Sequence, residues 1–149
     1  MPANDPQFTK VTAALADVRE IYRDLALRPI TRSCALRTAC CQFRLTGKTP
    51  YLTKGEALVA SRAVRASGRK VLPERTDGAC PLLDPRSSRC MIYASRPFGC
   101  RTHFCAESGG PFARKDVADL IRRLEEIDAR LGGDGARSLP VALAGAPAS

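Results

Sequence analysis

The sequence predicts a small α+β fold, a mostly helical single domain with a short β-hairpin and metal-binding loops. Three observations predict it. Residues 6–27 and 115–131 place apolar side chains at helical spacing. Residues 80–93 read as two short strands about a turn. Between the two long helices, all seven cysteines and the single histidine fall into two knots, one at 34–41 and one at 80–105.

The elements follow in order. Asp5-Pro6 is a helix start, a capping acceptor followed by proline at the first helical position. Phe8, Val11, Leu15, Val18, Tyr22 and Leu25 then form a stripe filled in by Ala14 and Ile21, and Pro29 closes the helix. Residues 31–45 carry Cys34, Cys40 and Cys41 in a segment where metal geometry overrides propensity. Residues 46–50 form a turn but not a phosphate loop, because the upstream glycine is absent. Thr53-Lys-Gly-Glu56 is a capping box, with Leu52 as its staple, opening a helix from Lys54 to Ser67 with Gly68 at C′. Arg62 and Arg65 lie on its outer face, followed by Arg69 and Lys70, a solvated basic cluster with some capacity for phosphate.

Val71-Leu72 is a short strand and Thr76-Asp77-Gly78 a turn. The hairpin pairs Cys80–Leu83 with Arg89–Tyr93 around a turn at 84–88. Arg96-Pro97 forces an extended bend, and Phe98-Gly99 a tight turn that delivers Cys100 and Cys105. In the last helix, Val117, Leu120, Ile121, Leu124, Ile127 and Leu131 line one face. Asp119 with Arg123 and Glu126 with Arg130 are favourable i,i+4 pairs. Gly132-Gly133 stop the helix, so the domain spans 1–131. Residues 132–149 read as a flexible tail, except that Leu139–Leu143 is an apolar patch able to dock.

Composition narrows the class of function. Aromatic residues make up 5% of the chain and tryptophan is absent, so Leu, Ile, Val and Ala must build the core. So thin a core gains from a metal staple, because metal-binding free energy is also folding free energy. The formal net charge of +9 suits an anionic partner, but charge without aromatics interleaved among the basic residues predicts only weak, non-specific contact with nucleic acid. No window approaches the roughly 18 apolar residues of a membrane helix. The first ten residues lack the pattern of a secretory signal. A cytoplasmic location follows as the expectation, and there clustered cysteines bind metal or react rather than form structural disulfides.

The candidate ligands are Cys34, Cys40, Cys41, Cys80, Cys90, Cys100 and Cys105, with His103 as a further candidate. Soft thiolates in this density suit zinc or an iron–sulfur cluster. Neighbouring side chains point apart on most backbones. Cys40 and Cys41 therefore either serve different metals, or one ligates while the other is a buried or reactive thiol. Arg37, Arg44, Arg89, Arg96 and Arg101 lie beside cysteines, where positive charge lowers thiol pKa and offsets the negative charge of a thiolate-bound cluster. Two other classes compete, a zinc-stapled nucleic-acid-binding module and a thiol redox protein. The absence of any Cys-x-x-Cys pair counts against both.

These motifs resemble the YkgJ-type cysteine-cluster proteins, described as zinc- or iron-chelating domains. Cys34, Cys40 and Cys41 match the family's opening Cys-x-x-Cys-x-x-Cys-Cys, with Arg37 where its second cysteine falls. Gly78-Ala-Cys-Pro-Leu-Leu matches a second segment. Cys90-Met-Ile-Tyr-Ala-Ser-Arg-Pro-Phe-Gly-Cys-Arg101 matches the third without a gap, and Leu52 to Glu56 is a helix start of the family's kind. The resemblance covers residues 30–105. It implies thiolate metal binding, with Arg96 and Arg101 tuning the site from just outside the ligands. The similar motif of flagellin lysine methylases is associated with an iron–sulfur cluster, which sets [4Fe–4S] slightly ahead of zinc. Seven cysteines cannot fill two four-thiolate sites, so either His103 completes a second site or there is one. The implied role is electron transfer, metal handling or service to a larger enzyme or redox partner.

Overall fold

The helix expected at 6–27 runs Pro6–Ala26 (α1) in the computed structural model, which describes residues 6–28, 50–68, 80–84, 86, 90–102 and 112–145. It is followed by β1 (Tyr51–Leu52), α2 (Lys54–Ala66), a 3-10 turn (Tyr93–Ser95), α3 (Phe98–Thr102), α4 (Arg114–Arg130), β2 (Arg137–Ser138) and α5 (Leu139–Ala144). The long helices end where the sequence places their stops. Gly68 and Gly132, just past α2 and α4, have φ of +89° and +76°, the left-handed region where a side chain is strained.

α1, α2 and α4 pack around one apolar cluster. α1 contributes Ala14, Leu15, Val18, Ile21, Tyr22 and Leu25, and α4 contributes Val117, Leu120, Leu124 and Ile127. Phe8, at the outer end of the α1 stripe, stays 39% exposed. Polar side chains line the same seam. Arg130 donates to Asp17 at 2.7 Å, Arg123 donates to Asp24 at 2.7 Å, and Arg28 pairs with Asp119. Partners rise along α1 as they fall along α4, so the two helices are antiparallel. The expected pairs within α4 thus give way to pairs between helices. Two antiparallel helices present their flanking charges to each other across the apolar stripe, and a neighbour there competes with one a turn away.

α2 is the central element. Gly55, Glu56, Ala57, Leu58, Val59 and Ala60 are all buried in succession, which a helix with one solvated face does not allow. Leu58 and Val59 join the three-helix cluster, while Ala57, Ala60 and Val64 join a second cluster on the other side. Close approach at the start of α2 depends on Gly55. A Cβ there would sit 3.0 Å from methyl carbons of both Val18 and Ile127.

The second cluster is assembled from short pieces: Leu52, Cys80, Leu82, Leu83, Ile92 and Leu139 meet the outer face of α2. The expected hairpin is present as a single antiparallel bridge, Leu83 to Cys90, with Met91 N–H donating to the Leu82 carbonyl at 2.8 Å. Among the described residues a two-stranded ladder lies elsewhere, β1 pairing with β2 so that Tyr51 faces Ser138 and Leu52 faces Arg137. This corrects the tail expected from Gly132. The chain continues into β2 and α5, Leu139 N–H donates to the Pro50 carbonyl at 2.9 Å, and the Leu139 side chain is completely buried. The apolar patch at Leu139–Leu143 docks because β1 supplies its backbone partners and the second cluster accepts its side chains. No helix among the described residues is long and apolar enough to cross a membrane.

Candidate metal centre

Three candidate ligands fall within the described residues, all as thiols: Cys80, Cys90 and Cys100. Cys80 is buried in the second cluster, where its carbonyl accepts Leu83 N–H at 3.0 Å, and Cys90 packs half-buried against the same cluster. The antiparallel bridge draws the segments bearing these two cysteines together, as the hairpin reading expects. Cys100 lies half-buried on α3. Here the structure amends the sequence reading. Phe98-Gly99 starts a short helix rather than a tight turn, and Pro97 accepts from the N–H groups of both Cys100 and Arg101. The absence of a side chain at Gly99 serves packing, since a Cβ there would meet the Pro50 ring at 3.2 Å.

Cys34, Cys40, Cys41, Cys105 and His103 lie outside the described residues, as do Arg37, Arg44, Arg89 and the Val71-Leu72 strand. Among the described residues no group of three His, Cys, Asp or Glu side chains is gathered closely enough to hold a metal ion. Cys80, Cys90 and Cys100 thus form no site by themselves. The donor set of the whole chain, seven thiols and one imidazole, fits zinc or iron in its chemistry.

The segment between Cys90 and Cys100 is held by its own arginines. Arg101 donates through Nε to the Arg96 carbonyl at 2.6 Å and through an Nη to the Ala94 carbonyl at 2.8 Å. Its guanidinium also lies 4.2 Å from the centre of the Tyr22 ring, tying the motif to α1. Burial lowers the Arg101 pKa, and the neighbouring Arg96 acts in the same direction. Arg96 donates to the Tyr93 carbonyl at 3.0 Å and covers the Tyr93 ring at 3.9 Å. Both arginines thus stiffen the spacer between two candidate ligands. Tyr93 itself is 42% exposed, an aromatic packed by one arginine rather than by a core.

Two carboxylates have roles that sequence reasoning missed. Glu56 belongs to the capping box, and its Oε2 accepts Thr53 N–H at 3.1 Å and Thr53 O–H at 3.3 Å. Its Oε1 goes further, accepting Phe98 N–H at 2.7 Å and the Tyr22 hydroxyl at 3.1 Å. Burial pushes the Glu56 carboxyl upward, and these four donors only partly offset it. Tyr22 is held well above its usual range by burial and by the neighbouring Glu56, so it remains a donor. The signal available in the sequence was the apolar run Ala57-Leu-Val-Ala60 immediately after Glu56. The second carboxylate, Asp128, is buried at the end of α4. It accepts Lys54 N–H at 2.7 Å and Gly135 N–H at 2.9 Å, joining the start of α2 to the turn that leads into β2. Its signal was an acidic residue beside the stripe, one turn before Gly132-Gly133.

A family model, CxxCxxCC, described as "Putative zinc- or iron-chelating domain", matches residues 31–122, more than half of the chain. No curated protein and no solved structure matches it.

Proposed function

Since the chain belongs to the CxxCxxCC family, a zinc- or iron-chelating domain, we propose that it holds an iron–sulfur cluster, or else zinc, through its clustered thiolates. Cys90 and Cys100 are two of the ligands, and the remaining ligands are drawn from Cys34, Cys40, Cys41, Cys80 and Cys105. The observation that carries this reading is the braced segment from Cys90 to Cys100, whose backbone carbonyls are tied by Arg101 and whose ends both bear thiols. A rigid spacer between two donors reduces the ordering cost of binding a metal, and the apolar cluster behind Cys80 limits solvent access. When bound, the metal would staple the half of the molecule that has least regular structure. The role served is electron transfer, metal handling or support of a larger enzyme. Contact with nucleic acid is confined to weak, salt-sensitive attraction to phosphate.

The test is the metal content and visible spectrum of protein purified without oxygen. Iron and sulfide with broad visible absorbance, or stoichiometric zinc in colourless protein, is the expected result. Cys90→Ser and Cys100→Ser should each bind metal weakly enough to be purified without it, and should lower the melting temperature. Intact thiols with neither metal, or serine variants that keep full metal and wild-type melting, would overturn the assignment.

A further inference from the structure

Glu56 does more than a capping residue requires. A capping box needs one carboxylate oxygen directed at the first N–H of its own turn, at a helix end that water can reach. Here the carboxylate is 2% exposed, and Oε1 is directed away from the cap. It accepts the backbone N–H of Phe98, two residues before Cys100, in the shortest of its four hydrogen bonds, 2.7 Å. The same oxygen accepts from Tyr22, whose ring stacks against the guanidinium of Arg101, the residue after Cys100. The chain is thus anchored on both sides of Cys100, through the backbone at Phe98 and through the side chain at Arg101, and both anchors converge on one carboxylate. Enclosing a carboxylate this completely is costly unless its lone pairs are filled, and they are filled from three separate parts of the chain.

We propose that Glu56 is the positioning residue for Cys100. By holding Phe98 directly and Arg101 through Tyr22, it sets where the Cys100 thiol points, and so couples the helical core to the metal site. The inference rests on the reading of Cys100 as a ligand. Glu56 is not itself offered as a ligand and acts only through the residues that flank the thiol.

The experiment is a double-mutant cycle on zinc affinity, measured anaerobically in the full chain by competition with a chromophoric chelator. Glu56→Ala should weaken zinc binding about 10–100-fold, the usual cost of removing a group that orients a ligand. Glu56→Gln, which keeps one acceptor for Phe98, should fall between Glu56→Ala and wild type, and it carries the test if Glu56→Ala does not fold. In a Cys100→Ser background the Glu56 substitution should cost nothing further, because the thiol it positions is gone. Leu120→Ala, a remote core variant, should leave the affinity of the folded fraction near wild type. Equal losses with and without Cys100, or an effect no larger than that of Leu120→Ala, would overturn the proposal. If the wild-type chain takes up no zinc and no cluster, the metal reading has failed. Positioning is then read from alkylation by iodoacetamide in the folded chain. A several-fold change at Cys100 with Cys80 unchanged supports it, and parallel or absent changes overturn it.

Discussion

On one side of α2, Leu58 and Val59 pack among residues from two long helices. On the other, Ala57, Ala60 and Val64 pack against four short segments, β1, 80–83, 90–92 and α5. The first side needs nothing beyond its own sequence period, since each helix satisfies its own backbone and buries a continuous stripe. The second side cannot satisfy its backbone locally. It borrows partners instead: β1 for the strand before α5 and, in the segment that follows Ile92, Arg101 for the carbonyls of Ala94 and Arg96 and Glu56 for the amide of Phe98, whose side chain crosses to the first cluster. A small domain can thus carry thiols on irregular chain as long as one helix is walled on both sides. The irregular half is also where the proposed metal staple would contribute most to stability.

The comparison is sharpest when each cluster loses a leucine. Leu120 and Leu139 are both completely buried, one in each cluster. Leu120→Ala should cost about 2–5 kcal/mol, the range for large-to-small core changes, and the loss should be the same with metal bound or stripped. Leu139→Ala should cost a similar amount in stripped protein and clearly less in metal-loaded protein, where the staple holds the cluster from the other end. Denaturant unfolding of both variants in both states measures this. If Leu139→Ala is indifferent to metal, the two halves are not held by different means.

A smaller effect, known in sign, concerns the carboxylate between the halves. Burial raises the folded-state pKa of Glu56, so the folded chain binds this proton more tightly than the unfolded chain. The stability linked to that proton is fully present below the ordinary carboxylate range and is lost as pH rises through the raised folded value. Tyr22 stays protonated throughout this window, and the nearby Arg101 stays charged. The stability of wild type relative to Glu56→Gln should therefore decline as pH rises across the window. Denaturant midpoints of the two proteins, taken pH by pH, check it. A difference that grows in favour of wild type with rising pH would mean that the four donors outweigh burial.

The smallest effect belongs to the charges along the helical seam. Asp24 and Arg123 are 39% and 38% exposed, so Asp24→Asn should cost no more than about 0.2–1 kcal/mol and should vanish in high salt. Urea unfolding at low and high ionic strength checks this. A loss of the size seen for Leu120→Ala would make the seam electrostatic rather than apolar.

The sequence by itself determined what is periodic or punctuated. The apolar stripe of α1, the capping box at Thr53, the stops at Gly68 and Gly132 and the stripe of α4 all lie where residue spacing put them. Local rules suffice there, because a helix answers to residues three and four positions away. The sequence also singled out the side chains proposed as ligands, since thiols gathered in knots stand out in any fold. Only the tertiary structure decided who meets whom. Asp119, Arg123 and Arg130 turn to α1 instead of to their own helix. The stretch after Gly132 becomes a strand and a helix because Pro50 and β1 lie within reach. Glu56 becomes an anchor for Phe98 across 42 residues of chain. Each of these pairings is long-range. A carboxylate carries the same local signal whether it caps a turn in water or is enclosed between helices, and only packing brings it the donors that make burial tolerable.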